Sequence, residues 1–451
     1  KWVMSFDLNS LYPHLIMQYN ISPETLVPSE PVTGLVDKLL AGKASNPTEH
    51  CMTPNGAFFR KDKRGFLPEL METMYNDRTK YKKLMLQASQ EYENTKDPKL
   101  LKDISKYNNI QMAKKISLNS AYGAIGNNYF RYYDLMIASA ITTSGQLSIR
   151  WIEKSLNIYL NKLLETDNED YVIASDTDSV YITFDRLVDK LFGEGTETRK
   201  VVNFLDKIAN EKLEPFIENS YTALAKVTNA YDQKMQMARE VIADKGIWTA
   251  KKRYILNVHD SEGVRYKEPK LKIMGIEAVK SSTPKVCRNK IKEALKIIIN
   301  EDSDVLNTFI QDFREEFMRL APEEIAYPRS VNGLEKFSSS NGMFAKGAPI
   351  HCKGAILYNH LLKTKKLTNK YPLIQEGDKI KFVHLRQPNV YTASAFSFIT
   401  FFPKELDLLD RIDYDTQFTK SFVEPLKFIS EKIDWWIDDS YGTQGTLDGF
   451  F

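Results

Sequence analysis

Three aspartates carry the first chemical signal. Asp7 closes an apolar stretch, Trp2-Val3-Met4-Ser5-Phe6, that reads as a buried strand over residues 1–7. Asp176 and Asp178 flank Thr177 in a short polar turn between two β-rich runs, 171–174 and 179–184, which is a hairpin signal. Two Asp at i and i+2 in extended backbone point the same way. A hairpin tip beside a strand end then gathers three carboxylates in a small volume, a costly cluster unless cations neutralise it. Oxygen-only ligands favour Mg²⁺ or Mn²⁺. Two such ions, roughly 3.5–4 Å apart, stabilise both the attacking and the leaving oxygen of a phosphoryl displacement. Taken alone, Asp-Thr-Asp is also an ordinary polar turn. A calcium loop of the EF-hand kind does not fit, because Tyr181 stands where Gly is needed and Leu187 where Glu is needed.

A second constellation is basic. Lys115, Asn119 and Tyr122 lie at i, i+4 and i+7, one face of a helix. Arg78 and Lys82, at i and i+4, share a face of an opposing helix. Arg grips phosphate bidentately and Lys acts as a point charge, so three cations presented to one point suit a triphosphate. The competing reading is a solvent face decorated with Lys and Arg. Backbone N–H groups around Ser10, Leu11 and Tyr12, at the start of a helix, offer a further phosphate contact.

The elements that must position these groups follow from the pattern. Pro13 sits near a helix start, where its missing N–H is harmless. Residues 22–68 are rich in Pro and Gly and read as loops with short strands. Residues 69–122 read as two long helices joined near 95–98. Residues 133–165 read as helical, helices follow over about 200–240, and 248–274 is strand-rich. Beyond Pro284 the pattern is helices, loops and a Gly/Ser-rich patch at 338–347. The expected class is α+β, with a helical hairpin inserted early and a separate C-terminal region.

Composition agrees with a large folded chain. It has 451 residues, 42% hydrophobic, with 23 Tyr and 24 Phe, which implies two to four subdomains and excludes disorder for most of it. Net charge is only +3, but residues 245–290 hold 12 Lys/Arg against 4 Asp/Glu. Local basic surfaces on a nearly neutral chain suit a polyanion touching certain faces, although solvated helix faces give the same count. Cys51, Cys287 and Cys352 are far apart and show no zinc spacing, which fits a reducing compartment. The longest nearly apolar run, 394–402, is too short to span a bilayer, and no signal peptide is visible. An apolar strand opening at Lys1 reads as a fragment, a processed product or half of a split protein.

Four segments together resemble family B DNA polymerases. Asp7-Leu8-Asn9-Ser10-Leu11-Tyr12-Pro13 is similar to motif A, and Lys115-Ile116-Ser117-Leu118-Asn119-Ser120-Ala121-Tyr122-Gly123 resembles motif B. Asp176-Thr177-Asp178-Ser179 looks like motif C, and Lys251-Lys252-Arg253-Tyr254 is similar to the KKRY motif, in the matching order and spacing. Asn20 to Thr25 and Gly275 to Pro284 resemble the T-even-type bacteriophage group within that family.

The resemblance implies a right-hand polymerase: an antiparallel-sheet palm over 1–64 and 129–284, helical-hairpin fingers over 65–128, and a mostly helical thumb over 285–451. It implies DNA-directed primer extension with two Mg²⁺ (Mn²⁺ possible), held at Asp7, Leu8 and Asp178, with Asp176 as accessory carboxylate. Arg78, Lys82 and Lys115 would hold the triphosphate, and Lys115 would protonate the leaving pyrophosphate. Asn119 and Tyr122 would pack on the nascent base pair, and Tyr12 would be the steric gate against ribonucleotides. Lys251, Lys252, Arg253, Tyr254, Ser282 and Thr283 would hold primer-template DNA. The tail Leu447, Phe450 and Phe451 resembles a clamp-binding segment, docking on a sliding clamp. The setting implied is the cytoplasm of an infected bacterial host, with no membrane partner. His14 and Ser175 depart from the pattern, standing where relatives carry Ser and Gly. Ser175 would be strained if the turn needed φ > 0 there. No exonuclease carboxylates precede Asp7, so proofreading is expected to be missing unless a separate N-terminal or exonuclease chain supplies it. The rival readings are a non-catalytic nucleic-acid-binding scaffold and a metal-dependent nuclease.

Overall fold

The computed structural model describes residues 1–193, 195–338, 344–345 and 347–437. They fall into two compact units: Lys1–Gly246 with Leu256–Lys272, and Ile247–Ile255 with the residues from Ile273 on.

In the first unit the chain opens with β1 (Val3–Leu8) and α1 (Leu11–Gln18). Every β1 residue except Asp7 is buried, as expected of a central strand covered on both faces. Next come β2 (Leu26–Val27), α2 (Leu35–Leu40), β3 (Cys51–Met52) and β4 (Phe58–Phe59), the three strands forming a small sheet in the order β2-β4-β3. Then follow the long helices α3 (Phe66–Thr95), α4 (Lys99–Ile125) and α5 (Leu135–Leu164). The α3–α4 turn reverses through Lys96 at φ 56°, and Pro98 sits at the N-cap of α4. Asp134 caps α5 by accepting from the Ile137 N–H at 3.0 Å.

The hairpin β5 (Val172–Asp176) and β6 (Ser179–Thr183) is followed by α6 (Asp185–Leu191), α7 (Thr198–Ile208) and α8 (Glu214–Val227). Three long strands follow, β7 (Met237–Ala250), β8 (Arg253–Ser261) and β9 (Val264–Met274), of which residues 247–250, 253–255 and 273–274 belong to the second unit. The main sheet has the order β5-β6-β1-β7-β8-β9. β1 pairs antiparallel with β6 and β7, and the β1–β7 register shifts at Ser5/Phe6. Helices α1, α5 and α8 supply Leu15, Ile16, Ile141, Leu156, Ile217 and Leu224 to one core against this sheet.

The second unit contains helices Lys285–Asn300, Ser303–Phe317 and Ile350–Thr364. It also holds a three-stranded sheet, β10 (Tyr327–Ser330), β11 (Lys379–His384) and β12 (Ala395–Phe398).

The α+β class holds, and three boundaries differ from expectation. The helical run ends at Val227 rather than near 240, and strand begins at Met237 rather than at Trp248. β7 mixes Arg239, Glu240, Asp244 and Lys245 among apolar residues, so its period is obscured and β1 and β8 carry the pairing. α2 forms inside the Pro/Gly-rich stretch because Leu39 can be buried there. The sheet of the second unit was not anticipated, since its strands are short and β10 contains Pro328.

Candidate active site

Asp7 and Asp178 meet at the centre of the sheet. β1 runs antiparallel to β6, placing Asp7 opposite Ser179, and the Leu8 N–H donates to the Asp178 carbonyl at 2.8 Å. The two carboxylates enter one cleft of about 310 Å³. Burial pushes the Asp7 carboxyl up to about 8, with Asp178 and then Glu240 adding to the rise, against Lys272 and Lys115. Asp178 is raised in the same direction, by burial first. These are the marks of carboxylates held where a cation would relieve them.

The turn between β5 and β6 is only Thr177-Asp178. Thr177 has φ 59°, and the Asp178 N–H donates to the Asp176 carbonyl at 2.6 Å. A β-branched residue at positive φ is a strained position, of order 1–3 kcal/mol. This kink breaks the simple alternation expected for Asp176 and Asp178. Asp178 lines the cleft together with Thr177, and Asp176 lies outside its lining, its carboxylate accepting from the Thr177 hydroxyl at 3.1 Å. Ser175 lies in β5 and is not at positive φ, so the strain expected there does not arise.

Ser10 turns the chain from β1 into α1 at φ 47°, and its hydroxyl accepts from Arg78 Nη1 at 2.7 Å. Arg78, 8% exposed, also reaches Gln111 on α4 at 3.4 Å. Lys82, one turn further along α3, also lines the cleft, as do Lys115, Asn119 and Tyr122 of α4. The structure thus brings together Asp7, Leu8, Ser10, Leu11, Tyr12, Arg78, Lys82, Lys115, Asn119, Tyr122 and Asp178. The Tyr12 and Tyr122 rings pack at 4.7 Å between centroids, tilted by 59°. His14 is buried below, edge-on to Tyr75 at 4.4 Å, with Nδ1 3.1 Å from the Ser10 carbonyl.

Sequence reasoning missed four lining residues: Asn9, Thr177, Glu240 and Glu262. Glu240 comes from β7 and accepts from Ser5 Oγ at 3.1 Å and from Lys272 Nζ at 2.7 Å. Glu262 sits in the two-residue turn between β8 and β9, with φ 50° and Gly263 at φ 85°. An acid-Gly pair between two strand-like runs is a hairpin signal, so Glu262 was findable. Glu240 was not, because it depends on β7 register.

The remaining predicted residues are elsewhere. Lys251 and Lys252 are exposed at the turn between β7 and β8. Arg253 makes a bidentate pair with Glu277, at 3.1 and 2.8 Å, and Tyr254 is 4% exposed and stacked on Trp248. The Ser282 carbonyl accepts from Arg329 at 2.8 Å, and Thr283 is buried. Leu447, Phe450 and Phe451 lie outside the described residues.

Among the described residues no group of three or more His, Cys, Asp or Glu side chains is disposed to hold a metal ion. Of the four carboxylates lining the cleft, Glu240 is paired with Lys272 and Glu262 with Lys82, which leaves those of Asp7 and Asp178, oxygen donors both. That set fits Mg²⁺, which takes one or two carboxylates plus substrate phosphates and water rather than an all-protein cage. No helix among the described residues is long and apolar enough to cross a membrane.

A cleft with an acidic sheet floor and a basic helical wall suits a polyphosphate carried with divalent cations. The chain belongs to DNA polymerase family B, whose family model matches residues 1–432. It is 36% identical to the DNA-directed DNA polymerase of Escherichia phage RB69, covering 95% of this chain and 53% of that protein. It is 33% identical to the DNA-directed DNA polymerase of Enterobacteria phage T4, covering 100% of this chain and 55% of that protein. A DNA polymerase beta of African swine fever virus is 26% identical over 69% of this chain. The chain spans about half the length of the phage relatives it matches.

Proposed function

We propose that this chain performs the polymerising step of a DNA-directed DNA polymerase, extending a primer on a DNA template in viral replication. The observation that carries the reading is the convergence of Asp7 and Asp178 with Arg78, Lys82 and Lys115 in one cleft from four separate chain segments. On this reading 1–64 and 129–284 form the palm, 65–128 the fingers and 285–451 the thumb.

Asp7, Asp178 and the Leu8 carbonyl would hold two Mg²⁺, or Mn²⁺. When bound, these ions supply activation of the primer 3′-hydroxyl and neutralise charge on the departing pyrophosphate. Asp176 supports Asp178 from outside the cleft. Arg78 and Lys82 of α3 and Lys115 of α4 bind the triphosphate oxygens, and Lys115 holds a proton near the leaving group. Arg78 is oriented by Ser10 Oγ, which fixes the guanidinium before substrate arrives. Backbone N–H groups of Leu11 and Tyr12 add phosphate contacts. Asn119 and Tyr122 test the shape of the nascent base pair. The Tyr12 ring, held against Tyr122, fills the space a ribose 2′-hydroxyl needs. Lys251 and Lys252 contact duplex phosphates, with Arg253, Tyr254, Ser282 and Thr283 shaping that surface. A sliding clamp engaging the C-terminal Leu447, Phe450 and Phe451, and a separate exonuclease chain, are further proposed partners.

One gel tests the reading. The chain is incubated with a labelled primer-template, Mg²⁺ and dNTPs. Lengthening supports a polymerase, shortening supports a nuclease, and binding without either supports a scaffold.

A further inference from the structure

Lys82 does not face the cleft alone. Its Nζ lies 2.7 Å from Glu262 Oε1, with the side chains 27% and 31% exposed. The pair stands on the wall shared by two cavities, the 310 Å³ cleft and a neighbour of about 380 Å³, which both include Asp7, Asn9, Lys82, Glu240 and Glu262 in their linings. Glu262 is firmly mounted. Its N–H donates to the Glu240 carbonyl at 2.7 Å, and the Gly263 N–H donates to Asp260 Oδ1 at 3.0 Å. Asp260, 1% exposed, is itself clasped by Arg239 and by Arg265 Nε, the latter at 2.8 Å.

The contact is the cleft end of a longer strap between α3 and the β8–β9 hairpin. Gln90 Oε1 accepts from the Arg265 N–H at 2.8 Å, the Asn94 carbonyl accepts from Lys267 Nζ at 3.2 Å, and Glu93 pairs with Lys270. A carboxylate aimed at a phosphate-binding lysine is an odd neighbour if the lysine serves only to attract anions. A partly exposed pair is weak, so a multiply charged ligand displaces it.

We propose that Glu262 is an internal competitor for Lys82 and so a positioning residue for polyphosphate. A nucleoside triphosphate gains Lys82 only by displacing the Glu262 carboxylate, and Glu262 retakes Lys82 as the diphosphate product leaves. This rests on the polymerase reading above. A nucleotide too short to reach Lys82 displaces nothing, so the effect of Glu262 grows with phosphate length.

Equilibrium titrations of the full chain with dATP and with dAMP, both with Mg²⁺, test this. They compare the unaltered chain, Glu262→Gln, Lys82→Ala and the double variant. Glu262→Gln is expected to bind dATP about threefold to fivefold more tightly. It should bind dAMP unchanged, and the gain should vanish in the Lys82→Ala background. A purely structural role for Glu262 would shift both nucleotides together or weaken both. If dATP binds the unaltered chain and Glu262→Gln binds it no more tightly, the proposal falls alone. If no variant binds dATP, the polymerase reading falls with it.

Discussion

Tyr12 and Tyr122 meet at 4.7 Å between ring centroids in the cleft that Asp7 and Asp178 also line, and on the proposed reading the sugar of the incoming nucleotide lies against Tyr12. Replacing Tyr12 with Ala should raise ribonucleotide over deoxynucleotide incorporation by at least tenfold, on the order of 1.4 kcal/mol of lost exclusion. Competitive incorporation assays measure it, and an unchanged ratio would remove the gate role. His14 gives a pH prediction. Burial pushes its imidazole down to about 4. The unfolded chain takes up this proton near pH 6.5, while the folded chain refuses it until about 4. The stability it contributes is therefore complete above pH 6.5 and is lost as pH falls toward 4. Denaturant melts at pH 7.5 and 5 should show a smaller acid loss in His14→Ser than in the unaltered chain. His384, also pushed down to about 4 by burial, leaves a residual slope in both. At this scale the sequence was informative about which side chains share the cleft where helical spacing sets it, as for Arg78, Lys82 and Lys115. It did not show that Asp176 lies outside the cleft lining, because the positive φ of Thr177 is a local backbone choice that Asp-Thr-Asp does not announce.

Elements hold these residues through a few unforgiving contacts. Gly275 has φ +67°, and a Cβ there would lie 2.0 Å from the Lys252 carbonyl. Gly275→Ala must therefore strain its own backbone and push the turn that carries Lys251 and Lys252. It is expected to destabilise by more than about 1 kcal/mol, read from the denaturant midpoint. An unchanged midpoint would mean that the turn yields freely. The same turn is tied down by Arg253 on Glu277. Burial pushes the Glu277 carboxyl up, but hydrogen bonds from Arg253 and Lys280 outweigh it and hold the group low. Long helices were legible from sequence: α3 and α4 flank the expected turn at 95–98. β7 was not, since its pattern is set by pairing with β1 across a register shift rather than by a clean period of two.

Across the whole molecule, charge is arranged locally rather than globally. The net charge is +3, while Lys251 and Lys252 stand exposed in the second unit. If they contact duplex phosphates, replacing both with Ala should weaken DNA binding equally on any sequence. It should also lower the slope of log affinity against log salt by about 2. An unchanged salt slope would exclude phosphate contact there. The α+β class was legible at this scale from the succession of helical and strand-like runs. The sheet of the second unit was not, because β10 to β12 have six residues or fewer and are separated by helix and loop.

The central claim is that Asp7 and Asp178 act as one unit on the bound nucleotide. The most direct measurement is kcat/KM for single-nucleotide extension by Asp7→Asn, Asp178→Asn and the double variant, with folding checked by circular dichroism. Each single change should cost on the order of a thousandfold or more, and the double little beyond either single. Losses below about tenfold, or losses that multiply in the double variant, would contradict it.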